Sequence, residues 1–208
     1  MTSRRFDPDA IYLEPEVPGM LMRAALRQTH MAEWERYRDA AVLGSLYYLG
    51  LRAFEVGHLD ISDLRLEDRR MRVRVQKGSR KAKRPKEPVT LFFGAKFAEA
   101  LAAYLPRRAQ RWGSLSAFFP SRLGTRISRI TVWNIVKRCA RLAGLDSDTA
   151  WPHLLRHALA SHMFLAGNEA PVVMRALRHA SLATTTVYSQ TSQRRRAEAA
   201  DSLDHLSR

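Results

Sequence analysis

Cysteine is almost absent from this sequence, which contains only Cys139 among its 208 residues. A single thiol excludes an intrachain disulfide and a zinc site built from several cysteines. Because disulfides belong to oxidising compartments, this composition fits the reducing cytoplasm, and we expect a cytoplasmic location. Arg4 and Arg5 resemble the start of an export signal, but the stretch from Phe6 to Asp9 follows where an apolar segment is required.

A long apolar run is also missing. The longest nearly apolar stretch, Ala40 to Leu51, is too short to span a bilayer and is interrupted by Gly44 and Ser45. This stretch is typical of a helix in a protein core. We therefore expect no membrane partner.

Acidic residues are few compared with basic ones. The 20 Asp and Glu against 35 Lys and Arg leave a formal net charge of +15 at pH 7. Such an imbalance is easiest to understand when the partner is a polyanion, and nucleic acid is favoured over a membrane surface. The hydrophobic content of 46% is sufficient for one domain with a proper core.

The sequence divides into a lead-in, one domain and a tail. Residues 1–17 mix proline with acidic residues and show no clear period, so we expect a loosely ordered lead-in. Residues 18–189 carry the periodic patterns of the domain. Residues 190–208 are interpreted as a helical tail that could pack on a neighbouring copy of the chain.

Apolar residues at helical spacing predict helices through most of the domain. The predicted helices are Met20 to Leu26, Trp34 to Leu49, Ala95 to Trp112, Ser128 to Ala143, Pro152 to Ala166 and Ala170 to Arg178. Between residues 64 and 91 the pattern changes to alternation, which predicts a small antiparallel sheet. The predicted fold class is therefore α+β, mainly α-helical, with a small antiparallel β-sheet.

Basic residues are concentrated in this predicted sheet. Between residues 65 and 86 there are eleven Lys or Arg and two acidic residues, so its solvent side should be strongly positive. The helix from Ser128 to Ala143 is a candidate for the major groove, and the alternative is a solvated face opposite Ile130, Trp133 and Val136. The residues predicted to contact nucleic acid are Arg72, Arg74, Arg80, Lys81, Lys83, Arg84, Arg129, Lys137 and Arg138.

The segment WPHLLRH, from Trp151 to His157, places His153 and Arg156 on one face at the start of a helix. A helix start also offers free backbone N–H groups and a positive dipole, which suit a phosphate. His153 and His157 are four residues apart, as in some zinc sites. No carboxylate lies between them and Arg156 would repel a cation, so we predict no metal. Taken alone, the segment also fits a solvated basic helix face.

Two further segments carry candidate residues. In GLRAFE, Arg52 follows a helix end and Glu55 lies one turn further on, where it is a natural partner for the guanidinium. Taken alone, the pair also fits an ordinary ion pair. Lys77 precedes Gly78 after the strand pattern and is placed in a hairpin, where Lys81 and Lys83 are rivals for any chemical role.

The segment RHASLATTTVY, from Arg178 to Tyr188, joins a helix end to a turn rich in Ser and Thr. Thr184 or Thr185 can cap a short helix that presents Tyr188. Considered singly, a tyrosine is more often a core residue and a histidine such as His179 is more often structural. The arrangement of the segments therefore decides their interpretation.

Taken together, these segments resemble the tyrosine recombinase family of phage-type integrases. The resemblance rests on Gly-Leu-Arg-x-x-Glu at 50–55, Lys-Gly at 77–78, His-x-x-Arg at 153–156, and a histidine nine residues before the tyrosine at His179 and Tyr188. It covers roughly residues 18–189 and is nearest to short members with only a catalytic domain. The family commonly has glycine where this sequence has Arg178, and the hairpin after Lys77 is longer than usual.

The resemblance implies a site-specific recombinase that needs no cofactor. Tyr188 would attack a phosphodiester of double-stranded DNA and form a 3′-phosphotyrosyl bond, with His153 as general acid/base. Arg52 and Arg156 would hold the phosphate, His179 would donate a hydrogen bond, and Lys77 would protonate the leaving 5′ oxygen. Glu55 is interpreted as a supporting residue that orients the pocket.

Other functions remain open at this stage. A type IB topoisomerase shares the tyrosine chemistry but rejoins the same strand, and a DNA-binding regulator could keep the fold without turnover. The resemblance also implies self-association as dimers or tetramers on DNA. An accessory DNA-binding protein is a further expected partner.

Overall fold

Helices and a small sheet make up residues 13–74, 87–147 and 150–178, which this computed structural model describes. The helices are α1 Val17–Leu26, α2 Glu33–Tyr48, α3 Ala53–Gly57, α4 Ala95–Trp112, α5 Arg129–Leu142, α6 Pro152–Leu165 and α7 Ala170–Leu177. The strands are β1 Leu64–Arg65, β2 Arg70–Val73 and β3 Val89–Phe92, with a 3-10 turn at Ile61–Asp63. The predicted fold class is confirmed.

Helix α2 lies at the centre of the core and packs against α1, α4 and α6. Its middle is buried, as the apolar run of the sequence predicts. The hydroxyl of Ser45 donates to the carbonyl oxygen of Ala41 at 2.8 Å, so this buried polar group is satisfied within the helix. Gly44 lies against the ring of Phe97 on α4, where a Cβ atom would be 2.5 Å from a ring carbon.

A glycine turns the chain from α2 into the segment that carries Arg52. Gly50 has φ +55°, in the left-handed region that glycine adopts without strain. A Cβ atom at Gly50 would lie 3.0 Å from side-chain carbons of both Leu159 and Leu177. The end of α2 is therefore packed closely between α6 and α7.

The sheet is antiparallel, with β2 in the middle of the order β1-β2-β3. Met71 pairs with Leu64 on one side and Leu91 on the other, and Met71 and Val73 are fully buried. Arg72 lies on the opposite face, so the alternation predicted for this strand is confirmed in its described part. The chain that joins β2 to β3 includes residues 75–86, which lie outside the described residues.

The chain before α1 packs on α6 through His162. Its Nε2 donates to the carbonyl oxygen of Leu13 at 2.7 Å, and the hydroxyl of Tyr47 lies 2.8 Å from its Nδ1. Leu13 and Val17 are buried, and α1 begins at Val17. Of the predicted lead-in, residues 13–17 are described. In the part of the chain that the structure describes, no helix has the length and apolar character needed to cross a membrane.

Candidate active site

Arg156 joins three parts of the fold. Pro152 occupies the first turn of α6, where its missing N–H is not needed, and Arg156 follows one turn later. The Arg156 side chain is buried and donates from its two terminal nitrogens to the carbonyl oxygens of Gly50 and Leu177. The start of α6, the end of α2 and the end of α7 therefore meet at this guanidinium.

Arg52 and Glu55 are held together at the start of α3. One carboxylate oxygen of Glu55 accepts from the backbone N–H of Arg52 at 2.9 Å, and the other accepts from its guanidinium at 3.1 Å. The Glu55 side chain is 1% exposed, whereas that of Arg52 is 38% exposed. The base of Arg52 is thus fixed, and its charged end reaches solvent.

His153 lies on the first turn of α6, and part of its side chain reaches solvent. Partial burial lowers the pKa of His153 below its ordinary value, and the positive charges of Arg156, Arg52 and Arg129 lower it further. Glu55 acts in the opposite direction without reversing the shift. The imidazole is therefore neutral at pH 7 and able to accept a proton.

Arg178 adds a third guanidinium, and the sequence did not identify it as a site residue. Its terminal Nη2 donates to Glu55 at 2.9 Å and to the carbonyl oxygen of Gly50 at 3.1 Å. The signal that could have identified it is an arginine at a position where the family commonly has glycine, directly after the last helical residue. Arg178 ends α7 with φ 56°, in the left-handed region that glycine adopts most readily.

The site carries more positive than negative charge. Burial lowers the pKa of Arg156 to about 9, with further contributions from Arg52 and Arg178, so Arg156 is still charged at neutral pH. Glu55 is the carboxylate whose charge opposes theirs. Three guanidinium groups around one carboxylate, beside the start of a helix, form a site suited to an anion such as a phosphate.

Lys77, His179 and Tyr188 lie outside the described residues, as do the predicted nucleic-acid contacts Arg80, Lys81, Lys83 and Arg84. Of the predicted catalytic set, the structure brings together Arg52, His153 and Arg156, with the supporting residue Glu55.

The arginines in and directly after β2 are held by ion pairs that the sequence analysis did not predict. Arg72 bonds Asp63 at 3.2 Å, and Arg74 bonds Asp60 at 2.9 Å. The predicted positive face counted acidic residues only between 65 and 86, whereas these two carboxylates precede that segment and fold back onto it. About half of each arginine side chain is nevertheless exposed.

Helix α5 presents a mixed face beside this site. The hydroxyl oxygen of Ser128 accepts from the backbone N–H of Thr131 and caps the helix. Arg129 is exposed, and the expected placement of Ile130 on the buried side is wrong, because Ile130 is 71% exposed. Val136 is buried and Trp133 packs against the core, as that alternative expected. Arg138, which was predicted to contact nucleic acid, bonds the buried carboxylate of Asp39.

The sequence of this chain matches that of a known protein family. The model described as the phage integrase family matches residues 15–195, which is most of the chain. The chain belongs to the phage integrase family. The predicted resemblance is therefore confirmed.

Two curated members of the family are identical to this chain at about a third of the aligned positions. Tyrosine recombinase XerD from Yersinia pestis is 32% identical in an alignment of 200 residues that covers 92% of this chain and 65% of that protein. Tyrosine recombinase XerD from Proteus mirabilis is 32% identical in an alignment of 203 residues that covers 92% of this chain and 62% of that protein. The chain therefore spans less than two thirds of the length of these relatives.

Solved structures of recombinases have the same fold. The crystal structure of XerA recombinase has a TM-score of 0.75 and 24% identity, and the match covers 96% of this chain and 66% of that chain. The XerH site-specific recombinase bound to difH substrate, a pre-cleavage complex, has a TM-score of 0.70 and 23% identity. That match covers 86% of this chain and 50% of the XerH chain.

Proposed function

We propose that this protein is a site-specific recombinase that cuts and rejoins DNA strands through a covalent 3′-phosphotyrosyl intermediate. The observation that carries the proposal is the contact of Arg156 with Gly50, which are 106 residues apart in the sequence. It brings the His-x-x-Arg segment against the Gly-Leu-Arg-x-x-Glu segment. Membership of the phage integrase family supports the same reaction.

The described residues suit the phosphate of such a reaction. Arg52 has the more exposed guanidinium and would contact the phosphate oxygens directly. Arg156 lies beneath, and each of its two terminal nitrogens keeps a second N–H beyond the bond to a backbone carbonyl. Charge that develops on the phosphorus centre is stabilised best by donors that are already fixed in place. The backbone contacts of Arg156 and the Glu55 contacts of Arg52 provide this fixation.

The proton transfers are assigned by motif. The Tyr188 hydroxyl oxygen attacks phosphorus and forms the tyrosyl ester, while the bond from phosphorus to the 5′ oxygen breaks. His153, neutral at pH 7, accepts the tyrosine proton, and Lys77 gives a proton to the leaving 5′ oxygen. His179 donates a hydrogen bond to the phosphate. In the reverse reaction the 5′ hydroxyl attacks the ester, so the energy of the broken bond is retained.

The proposal also covers the domain bounds, the self-association, the partners and the location of the protein. We expect residues 18–189 to form the catalytic domain and residues 190–208 to pack on a neighbouring copy. Self-association on DNA as dimers or tetramers follows from the need to exchange strands between two sites, and an accessory DNA-binding protein is a further expected partner. A cytoplasmic location fits the single cysteine.

A nicked duplex that carries the natural recombination site tests the reaction. The nick lets the short 5′-hydroxyl strand diffuse away, so the protein is trapped on DNA and migrates slowly on a denaturing gel. Tyr188→Phe should form no covalent adduct and should still bind the duplex, because only the attacking oxygen is lost. An adduct that persists in this variant contradicts the assignment of the nucleophile. Relaxation of supercoils without strand exchange between two duplexes would favour a topoisomerase.

A further inference from the structure

The residue that ends α7 has a backbone conformation that favours glycine. Arg178 has φ 56° and ψ 39°, in the left-handed region, where a Cβ atom is crowded by the backbone. Gly50, Gly144 and Gly167 take positive φ values at the ends of earlier helices. An arginine at such a position is strained in its backbone, and the hydrogen bonds of its backbone N–H and of its side chain offset that strain.

The side chain of Arg178 is directed into the candidate active site. It is 7% exposed and bonds Glu55 at 2.9 Å and the carbonyl oxygen of Gly50 at 3.1 Å. The same carbonyl accepts a hydrogen bond from Arg156. Arg178 thus fastens the end of α7, directly before His179 in the sequence, to the segment that carries Arg52.

Glu55 is shared between two guanidinium groups. Its Oε1 accepts from the Arg52 guanidinium at 3.1 Å, and its Oε2 accepts from the Arg52 backbone N–H and from Arg178, both at 2.9 Å. With Arg178 bonded to Oε2, the carboxylate cannot turn to bind the Arg52 guanidinium with both oxygens. The orientation of Arg52, the most exposed guanidinium of the three, therefore depends on Arg178 through this carboxylate.

The charge of Arg178 is only partly compensated. Its Nε and Nη1 are buried and have no hydrogen-bond partner among the described residues. Burial lowers the pKa of Arg178, while Glu55 acts to raise it and Arg52 to lower it. Negative charge that enters beside Arg52 and Arg156 would stabilise this under-compensated cation, since Coulomb interactions are strong in a partly buried site.

We propose that Arg178 is a positioning residue of this active site, which acts on the scissile phosphate through Glu55 and Arg52. The inference rests on the proposed recombinase function. Arg178 fixes the Glu55 carboxylate, the carboxylate fixes Arg52, and the Arg52 guanidinium is thereby held ready for the transition state beside Arg156. Its loss should slow strand cleavage more than it weakens DNA binding.

Single-turnover cleavage of the nicked duplex, with protein in excess, tests this role. Arg178→Gly removes the side chain and relieves the left-handed backbone, so this variant should fold. Arg178→Gln removes the charge, and Arg178→Lys keeps the charge but lacks the planar guanidinium that donates to two acceptors. The rate constant for adduct formation should fall roughly tenfold or more for Arg178→Gly and Arg178→Gln, and less for Arg178→Lys. The dissociation constant for the duplex should change by less than about threefold.

A neighbouring arginine gives a matched control. Arg175 lies on the last turn of α7 and is exposed, so Arg175→Gln makes the same change in net charge outside the site. Its cleavage rate should stay within about twofold of the unmodified chain. Rates are compared per folded molecule, with thermal unfolding measured for each variant.

A double-mutant cycle then tests the route through Glu55. If Arg178 acts through this carboxylate, the combined Arg178→Gln and Glu55→Gln substitutions should slow cleavage by clearly less than the product of the single effects. Equal cleavage rates in the unmodified chain and the Arg178 variants would overturn the inference and leave the proposed function intact. Single effects that simply multiply in the double variant would have the same consequence. Absence of any adduct from the unmodified chain overturns the proposed function and this inference with it.

Discussion

Glu55 and Asp39 are buried carboxylates, and each is bonded to two arginines. Glu55 lies between Arg52 and Arg178, and Asp39 lies between Arg38 and Arg138. Burial raises the pKa of Asp39 although both of its arginines act to lower it. Removal of the carboxylate from such a group leaves its guanidinium groups without their counter-charge in a poorly solvated place. At the scale of single residues, these ion pairs hold the arginine side chains in fixed positions.

The lowered pKa of His153 predicts the pH dependence of cleavage. If His153 accepts the tyrosine proton, only its neutral form is active, so the rate should fall as the pH decreases through the pKa of the ring. Because burial and then Arg156, Arg52 and Arg129 lower that pKa, the acid limb should lie below the ordinary imidazole value of about 6.5. The measurement is the single-turnover rate of adduct formation as a function of pH.

The Arg129→Gln variant checks the electrostatic cause. Loss of this positive charge favours protonated His153, so the acid limb should move upward. Arg141→Gln is the matched control, because Arg141 is an exposed arginine further along α5 and is not among the charges that shift His153. An acid limb at or above the ordinary value, unmoved by Arg129→Gln, contradicts the assignment.

At the scale of elements, the close approach of α2 and α4 is held by one small residue. A Cβ atom at Gly44 would lie 2.5 Å from a ring carbon of Phe97, so Gly44→Ala forces the two helices apart or the ring out of place. We expect the free energy of unfolding to fall by about 1–3 kcal/mol, measured by denaturant titration. The overpacking effect exceeds the gain in helix propensity of up to about 1 kcal/mol.

The Gly19→Ala variant separates packing from propensity. Gly19 lies in α1, and its added Cβ atom would meet only the flexible guanidinium end of Arg23, at 3.2 Å. This variant should therefore be as stable as the unmodified chain or more stable. Equal stabilisation by Gly19→Ala and Gly44→Ala would show that the α2–α4 contact is loosely packed.

The helices were predictable because their signals are local. Pro152 marks the start of α6, Ser128 caps α5, and Gly50 turns the chain after α2, so the predicted bounds lie within about three residues of the observed ones. Helix α3 was missed, because five residues are too few to establish a helical period. The 3-10 turn at Ile61–Asp63 was missed for the same reason.

The candidate site was only partly predictable. Glu55 was identified as a partner of Arg52, since the two are three residues apart and face each other over one helical turn. The bonds from Arg178 to Glu55 and from Arg156 to Gly50 join residues more than 100 positions apart. No local pattern carries such information, because these contacts exist only after α6 and α7 pack against the end of α2.

At the scale of the whole molecule, the described acidic residues that are buried are bonded to arginines inside the fold. They are Glu35, Asp39, Glu55, Asp60 and Asp63. Arg72, Arg74 and Arg122 are about half or more exposed, so these pairs neutralise part of the surface charge, and the excess of basic residues over the whole chain remains. With a formal net charge of +15, the chain should present a positive field to its surroundings.

This distribution predicts that binding to duplex DNA weakens steeply as salt rises, since each phosphate contact releases counterions. The exposed Arg129 has no ion pair among the described residues, so Arg129→Gln should reduce the slope of log Kd against log salt by about one. Arg138→Gln makes the same change in charge, but Arg138 is held by Asp39. It should leave the slope unchanged and lower the free energy of unfolding by about 1–3 kcal/mol. Fluorescence anisotropy over a salt series measures the slopes, and equal slopes for both variants would contradict the role given to Arg129.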